Sequence, residues 1–217
     1  NMALSEILWL GTGFLAQGCF AARFLIQWIM SERARRSLMP VHFWYFSLLG
    51  SILLLSYATH RRDPVIALGQ IIGLLIYLRN LKYIHPEWMG RVRHTWFWLW
   101  VGAVGAAVSI GYLFGGGAQA PVVKIHNFWT TFGFFGQMLF TSRFLAQWWY
   151  TERHKQSVMP RSFWYLSLVG SLMLLIYATA MLDPVIMLGQ SLGFIIYTRN
   201  LILLSRSDKY QTGLSHS

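Results

Sequence analysis

Charge is what this chain has least of. Asp, Glu, Lys and Arg make up 12% of its 217 residues, about half the ~25% usual in soluble domains. Only seven residues are acidic, and no carboxylate pair stands at acid–base spacing. One cysteine, Cys19, excludes a disulfide framework and a cysteine metal site. The seven histidines show no metal-ligand spacing, GxSxG is absent, and no glycine-rich loop follows a strand. Gly115–Gly117 reads as an external loop. An enzyme acting alone, a metal and a cofactor are therefore not expected. No basic segment precedes the first apolar run, which begins after Glu6, so a cleavable leader is not expected either.

What is present is apolar. Hydrophobic residues account for 55% of the chain and aromatic ones for 17%, with a mean hydropathy of +0.45. They fall into blocks of about 20 residues, the length a helix needs to cross ~30 Å of hydrocarbon. An all-α integral membrane protein is expected. The net charge of +11 comes from basic residues that flank the apolar blocks. That placement suits anionic lipid headgroups, and nucleic acid is not expected as a partner.

The chain is also duplicated. RFLIQWIMSERARRSLMP (23–40) returns as RFLAQWWYTERHKQSVMP (143–160), and ungapped alignment of 15–81 with 135–201 leaves more than half of the positions identical. Each copy reads as three helices. The first covers about 7–31 (127–151 in the second copy). The next runs from Met39-Pro40 (Met159-Pro160) to near Thr59 (Thr179). The third opens with Asp63-Pro64 (Asp183-Pro184), an N-cap followed by proline at the first helical position. One more apolar run, about 95–114, has no counterpart. The expectation is seven transmembrane helices in a 3+1+3 order. Residues 1–85 form the first repeat, 86–126 a linker with one transmembrane helix, and 127–217 the second repeat with a short tail.

Basic residues set an expected orientation. Counted by alternate loops, one side receives only Arg61, Arg62 and Lys124, while nearly all the others fall opposite. The C-terminus is then cytoplasmic and the N-terminus periplasmic. The odd linker helix makes the two repeats parallel, as in SWEET carriers, whose substrate sites lie between the repeats.

Arg23 and Arg143 are the two arginines inside apolar runs. Gln27 and Gln147 follow four residues on and share their faces. The third helices carry a matching stripe of Gln70, Gly73, Tyr77 and Asn80, copied as Gln190, Gly193, Tyr197 and Asn200. Arg79 and Arg199 stand at similar depth. A guanidinium with amide and phenol neighbours suits a phosphate, because its fork donates two parallel hydrogen bonds to an oxyanion. The other reading is structural: the arginines snorkel or cap carbonyls, and the amides and phenols join helices. Asp63 and Asp183 read as helix caps. Glu32 and Glu152 read as surface ion pairs with Arg33 and Arg153, or as a proton-coupling group. Trp28, Trp44, Trp148, Trp164 and the Trp96/Trp98/Trp100 group fit an interfacial belt.

RFL-QW---ER--S--P, FWY-SL-GS, DP---LGQ and YLRNL together resemble the lipid-A biosynthesis N-terminal domain family, over both repeats but not over the linker or tail. The resemblance implies proximity to lipid A or other envelope glycolipids, in a bacterial inner membrane. It does not imply synthase activity, since the two-lobed glycosyltransferase part of a disaccharide synthase has no counterpart here. The family is similar in turn to the PQ-loop and SWEET carriers, with Met39-Pro40 and Met159-Pro160 near the Pro-Gln position. Val41 and Arg161 replace the glutamine, so no sugar-binding role follows from that dipeptide.

Three functions are compatible with this. The first is a flippase-like carrier for a phosphate-bearing glycolipid such as a polyprenyl-phosphate sugar, with the twelve arginine, amide and tyrosine positions above as its binding set. The second is a non-catalytic subunit that docks a glycosyltransferase on its lipid substrate. The third is a SWEET-type carrier of small sugars.

Overall fold

The computed structural model describes residues 4–34, 40–84, 95–113, 127–154 and 160–214. These residues form seven α-helices: α1 (Leu4–Ala34), α2 (Val41–Arg61), α3 (Pro64–Ile84), α4 (Thr95–Leu113), α5 (Asn127–His154), α6 (Arg161–Ala180) and α7 (Pro184–Leu214). Two compact units result, residues 1–126 and 127–217.

Proline and aspartate punctuate both copies alike. Pro40 and Pro160 hold extended backbone at the N-caps of α2 and α6, with ψ of 150° and 158°. At the far end of α2, Arg62 takes the left-handed region (φ 53°), and the Asp63 N–H reaches back to the Ala58 carbonyl at 2.9 Å. Leu182 (φ 52°) and the Asp183-to-Ala178 bond at 2.9 Å repeat this closure, a Schellman-type end. Asp63 Oδ1 then accepts from the N–H groups of Val65 and Ile66 at 2.9 and 3.1 Å. Asp183 does the same for Val185 and Ile186 at 3.0 and 3.1 Å. Both aspartates are the caps the sequence indicates. Replacing either by alanine should cost about 1 kcal/mol, while asparagine should cost little; thermal unfolding in mild detergent reads both.

In each unit the middle helix is the hub. α2 packs against α1 and α3, and α6 against α5 and α7. The linker helix α4 packs on α2 and α3, so it belongs to the first unit. Leu55, Leu74 and Ala107 are fully buried where these three helices meet, and Trp100 Nε1 donates to the Ile71 carbonyl at 2.9 Å.

Large apolar side chains point outward, among them Leu8, Leu15, Leu25, Met138, Leu145 and Ile195, whereas Gln17, Arg23, Ser47, Ser51, Gln137, Arg143, Ser167 and Ser171 are buried. Polar groups inside and hydrocarbon outside is the arrangement a lipid solvent requires. Among the described residues five helices are long and apolar enough to cross a membrane: Leu4–Met30, Val41–Arg61, Pro64–Lys82, Arg161–Ala180 and Pro184–Ile202. α4 has a shorter apolar stretch, Phe97–Ser109. α5 is the counterpart of α1, but Gln137, Gln147, Trp148, Trp149 and Tyr150 lower its mean hydropathy below that of the five. Beyond Ile202, α7 continues as a polar helix through the expected tail to Leu214.

Candidate functional site

Each unit closes around its arginine. Arg23 projects from α1 and is 4% exposed; Arg143 projects from α5 and is 1% exposed. Arg23 Nη1 donates to Ser47 Oγ of α2 at 2.9 Å and to the Tyr77 hydroxyl of α3 at 3.2 Å. Arg143 Nη1 repeats both bonds, to Ser167 Oγ at 3.3 Å and the Tyr197 hydroxyl at 2.9 Å. One nitrogen thus ties together all three helices of a repeat.

Aromatic faces make up the rest of the box. The Arg23 guanidinium carbon lies 4.7 Å from the Phe20 ring centroid, 4.8 Å from Phe24 and 5.1 Å from Phe43. Around Arg143 the counterparts Phe140, Phe144 and Phe163 stand at 3.6, 4.7 and 5.4 Å. A ring quadrupole attracts a desolvated cation by about 2 kcal/mol. The rings disperse the charge without neutralising it. Trp44 and Trp164 back the tyrosines, with centroids 6.1 and 6.3 Å from Tyr77 and Tyr197.

Bonding in the first repeat is one-sided. Among the described residues both hydrogen bonds of Arg23 use Nη1, while its Nε is buried without a hydrogen-bond partner. No ion pair to Arg23 occurs among the described residues. The Nε–Nη2 edge, which grips an oxyanion side-on, is the edge left over.

The remaining candidates lie around the boxes in different ways. Gln27 and Gln147 are half-buried one turn further along α1 and α5. Gln70 Oε1 accepts from Ser51 Oγ at 2.9 Å. In the second repeat Gln190 is half-buried, and Ser171 Oγ donates to the Leu168 carbonyl at 3.0 Å. Asn80 and Asn200 each donate to a carbonyl of their own helix, Ile76 and Ile196, at 2.8 Å. Arg79 is half-buried and Arg199 exposed. Two residues from the box tyrosine is about 200° round the helix, so neither arginine shares that tyrosine's face. Glu32 and Glu152 belong to the last turns of α1 and α5, but their side chains lie outside the described set.

Ser47, Ser167 and the six phenylalanines are site residues that a search for charge and amides passes over. The signal that finds them is identity between the copies: each serine and each phenylalanine recurs 120 positions on.

These features define a class: a helical membrane protein of duplicated three-helix units, each closed on a buried arginine. More narrowly, the chain belongs to the Lipid A Biosynthesis N-terminal domain family, whose profile matches residues 12–82 and 132–202. It is 26% identical over 94% of its length to the lipid-A-disaccharide synthase of Chlamydia felis, covering 34% of that protein. Against the synthase of Chlamydia muridarum it is 30% identical over 92% of its length, covering 35% of that protein. The synthase of Chlamydia pneumoniae is 28% identical, with 91% and 33% covered. The chain thus spans about a third of the length of the curated relatives it matches. No solved structure matches it.

Proposed function

We propose that the protein is a flippase-like carrier for a phosphate-bearing glycolipid, such as a polyprenyl-phosphate sugar used in modifying lipid A or another envelope glycolipid. The observation that carries this reading is the Arg23 guanidinium. It is buried, lacks a carboxylate partner among the described residues and uses a single nitrogen for its hydrogen bonds. Leaving a cation uncompensated in an apolar unit is costly, and a phosphate on the Nε–Nη2 edge removes that cost. The second unit repeats the box around Arg143, which supports the same use of both arginines. Membership in a family named for lipid A biosynthesis supports the substrate class.

In this reading the protein lies in a bacterial inner membrane, with the N-terminus periplasmic and the C-terminus cytoplasmic. Arg79 and Arg199 meet headgroup charge outside the boxes, while Gln27, Gln70, Tyr77 and Asn80 with their copies Gln147, Gln190, Tyr197 and Asn200 contact the ligand. Glu32 and Glu152 are the candidates for proton coupling. The test is reconstitution in liposomes that hold a polyprenyl-phosphate sugar in one leaflet. Transfer to the other leaflet faster than in protein-free liposomes is expected. Transfer at the protein-free rate overturns the reading, and uptake of free sugar by the same liposomes would replace it with a sugar carrier.

The named relatives favour one alternative. All three are lipid-A-disaccharide synthases, which supports a non-catalytic subunit that docks a glycosyltransferase on its lipid substrate. Co-purification of a glycosyltransferase, with no lipid transfer in liposomes, is the outcome that selects it.

A further inference from the structure

The interior of each repeat contains a second polar level that the arginine box does not use. Gln17 on α1 and Gln137 on α5 occupy the same position in the two copies and are 7% and 5% exposed. In the first repeat the Gln17 amide makes no hydrogen bond among the described residues. In the second, Gln137 Nε2 donates to Thr141 Oγ1 at 3.1 Å; the first copy has Ala21 there and lacks that hydroxyl. A buried amide without partners costs about 1–3 kcal/mol, so the Gln17 amide at this depth asks for something that pairs with it, while in the second copy Thr141 takes up part of the Gln137 amide.

Neighbouring elements supply more of the same chemistry. A Cβ on Gly50 would meet the Ala16 carbonyl oxygen and Cys19 Cβ, both at 3.2 Å, which sets Gln17 level with Gly50 and Ser51. Ser51 Oγ donates to Gln70 Oε1, leaving the Gln70 amide hydrogens as donors. This level stands six residues from Arg23 along α1, about 9 Å at 1.5 Å per residue. Gly73 lies between the two levels on α3. A Cβ there would meet the Tyr77 ring at 3.3 Å and Ser51 Oγ at 3.6 Å, and one on Gly193 would meet the Tyr197 ring at 3.1 Å. The glycine lets the Tyr77 ring and Ser51 Oγ approach this point of α3, where a side chain would crowd both.

We infer that Gln17, Ser51 and Gln70, and Gln137, Ser171 and Gln190 in the second repeat, form a neutral subsite for the hydroxyl-bearing part of the ligand whose phosphate the arginine takes. This rests on the anion reading of Arg23 and Arg143. Amides and hydroxyls both donate and accept and carry no charge, as sugar hydroxyls do. A second phosphate would call for another cation at this level, and none of the six residues is one.

The test uses two probes on the detergent-purified chain: a short polyprenyl phosphate, and the same phosphate carrying one hexose. The wild type is expected to prefer the hexose-bearing probe by about ten-fold, the worth of one or two net hydrogen bonds. Gln17→Leu with Gln137→Leu should erase that preference and leave affinity for the bare phosphate unchanged. Persistence of the preference overturns the subsite while the anion reading stands. Equal binding of both probes by the wild type has the same consequence. Binding of neither probe removes the anion reading and the subsite with it. Ser51→Ala with Ser171→Ala deletes one oxygen per repeat and gives the same readout if the leucine variants do not fold.

Discussion

Arg23→Met together with Arg143→Met should abolish binding of a phosphate-bearing lipid while leaving the protein at least as stable as the wild type. Two charge-assisted hydrogen bonds to an oxyanion contribute about 1.5–3 kcal/mol each, so their loss should lower affinity about 100-fold or more. Methionine fills most of the volume inside the ring of Phe20, Phe24 and Phe43, and of their copies, and brings no charge to desolvate. Replacing buried charge by a well-packed apolar side chain is often neutral or stabilising. Ser47 keeps its hydrogen bond to the Phe43 carbonyl in the variant. Arginine-to-lysine changes should give intermediate binding, because an ammonium lacks the fork that takes two oxygens at once. Lipid that co-purifies with the protein, identified by mass spectrometry, and the thermal unfolding midpoint give the two readings. Undiminished lipid in the methionine variant would return both arginines to a structural role.

The second large effect concerns one glycine position in its two copies. A Cβ on Gly170 would meet Phe140 N, Cα and Cβ at 2.7, 2.8 and 2.9 Å. Backbone of a packed helix cannot move aside cheaply, so Gly170→Ala should destabilise the second unit by about 2–3 kcal/mol, the range of core overpacking. At Gly50 the nearest atom is Phe20 Cε1 at 3.0 Å, followed by the Ala16 carbonyl oxygen and Cys19 Cβ at 3.2 Å. The ring edge can turn and the backbone oxygen needs to yield only a few tenths of an ångström, so Gly50→Ala should cost about 1 kcal/mol, less than Gly170→Ala. Gly11 has nothing within 4 Å; alanine there should be neutral or slightly stabilising through its helix propensity. Gly111 belongs with Gly170, since its Cβ would run into the Ser56 carbonyl oxygen and Thr59 Cβ. The expected order of unfolding midpoints is Gly11→Ala above Gly50→Ala above Gly170→Ala. Equal midpoints for the Gly50 and Gly170 variants would contradict the close approach of α5 and α6.

The helices were legible because their signals are local. An Asp-Pro start, a Pro N-cap and a 20-residue apolar block depend on neighbours within one turn or on solvent. α5 is the exception in hydropathy: its glutamines, tryptophans and tyrosines pull the average down, and its place beside α1 is evident from the repeat instead. The two boxes were legible in part. Arg23 meets Tyr77 and Arg143 meets Tyr197, each within its own unit, whereas Asn80 and Asn200 bond to their own helices, and Arg79 and Arg199 sit on other faces. Stripe spacing identifies residues on a common helix face but says nothing of which partner that face receives.

Composition, periodicity and duplication are properties of the chain taken in order, and from them follow a helical membrane protein, its two repeats, its helix ends and an arginine buried twice. The hydroxyls that hold each guanidinium arrive from residues 24 and 54 positions away, on helices whose rotation depends on how glycine and phenylalanine pack between them. That rotation is set by side-chain volume in three dimensions. It therefore took the folded units to bring Ser47 and the phenylalanines into the site, to turn Arg79 out of it, and to leave the amide of Gln17 inside.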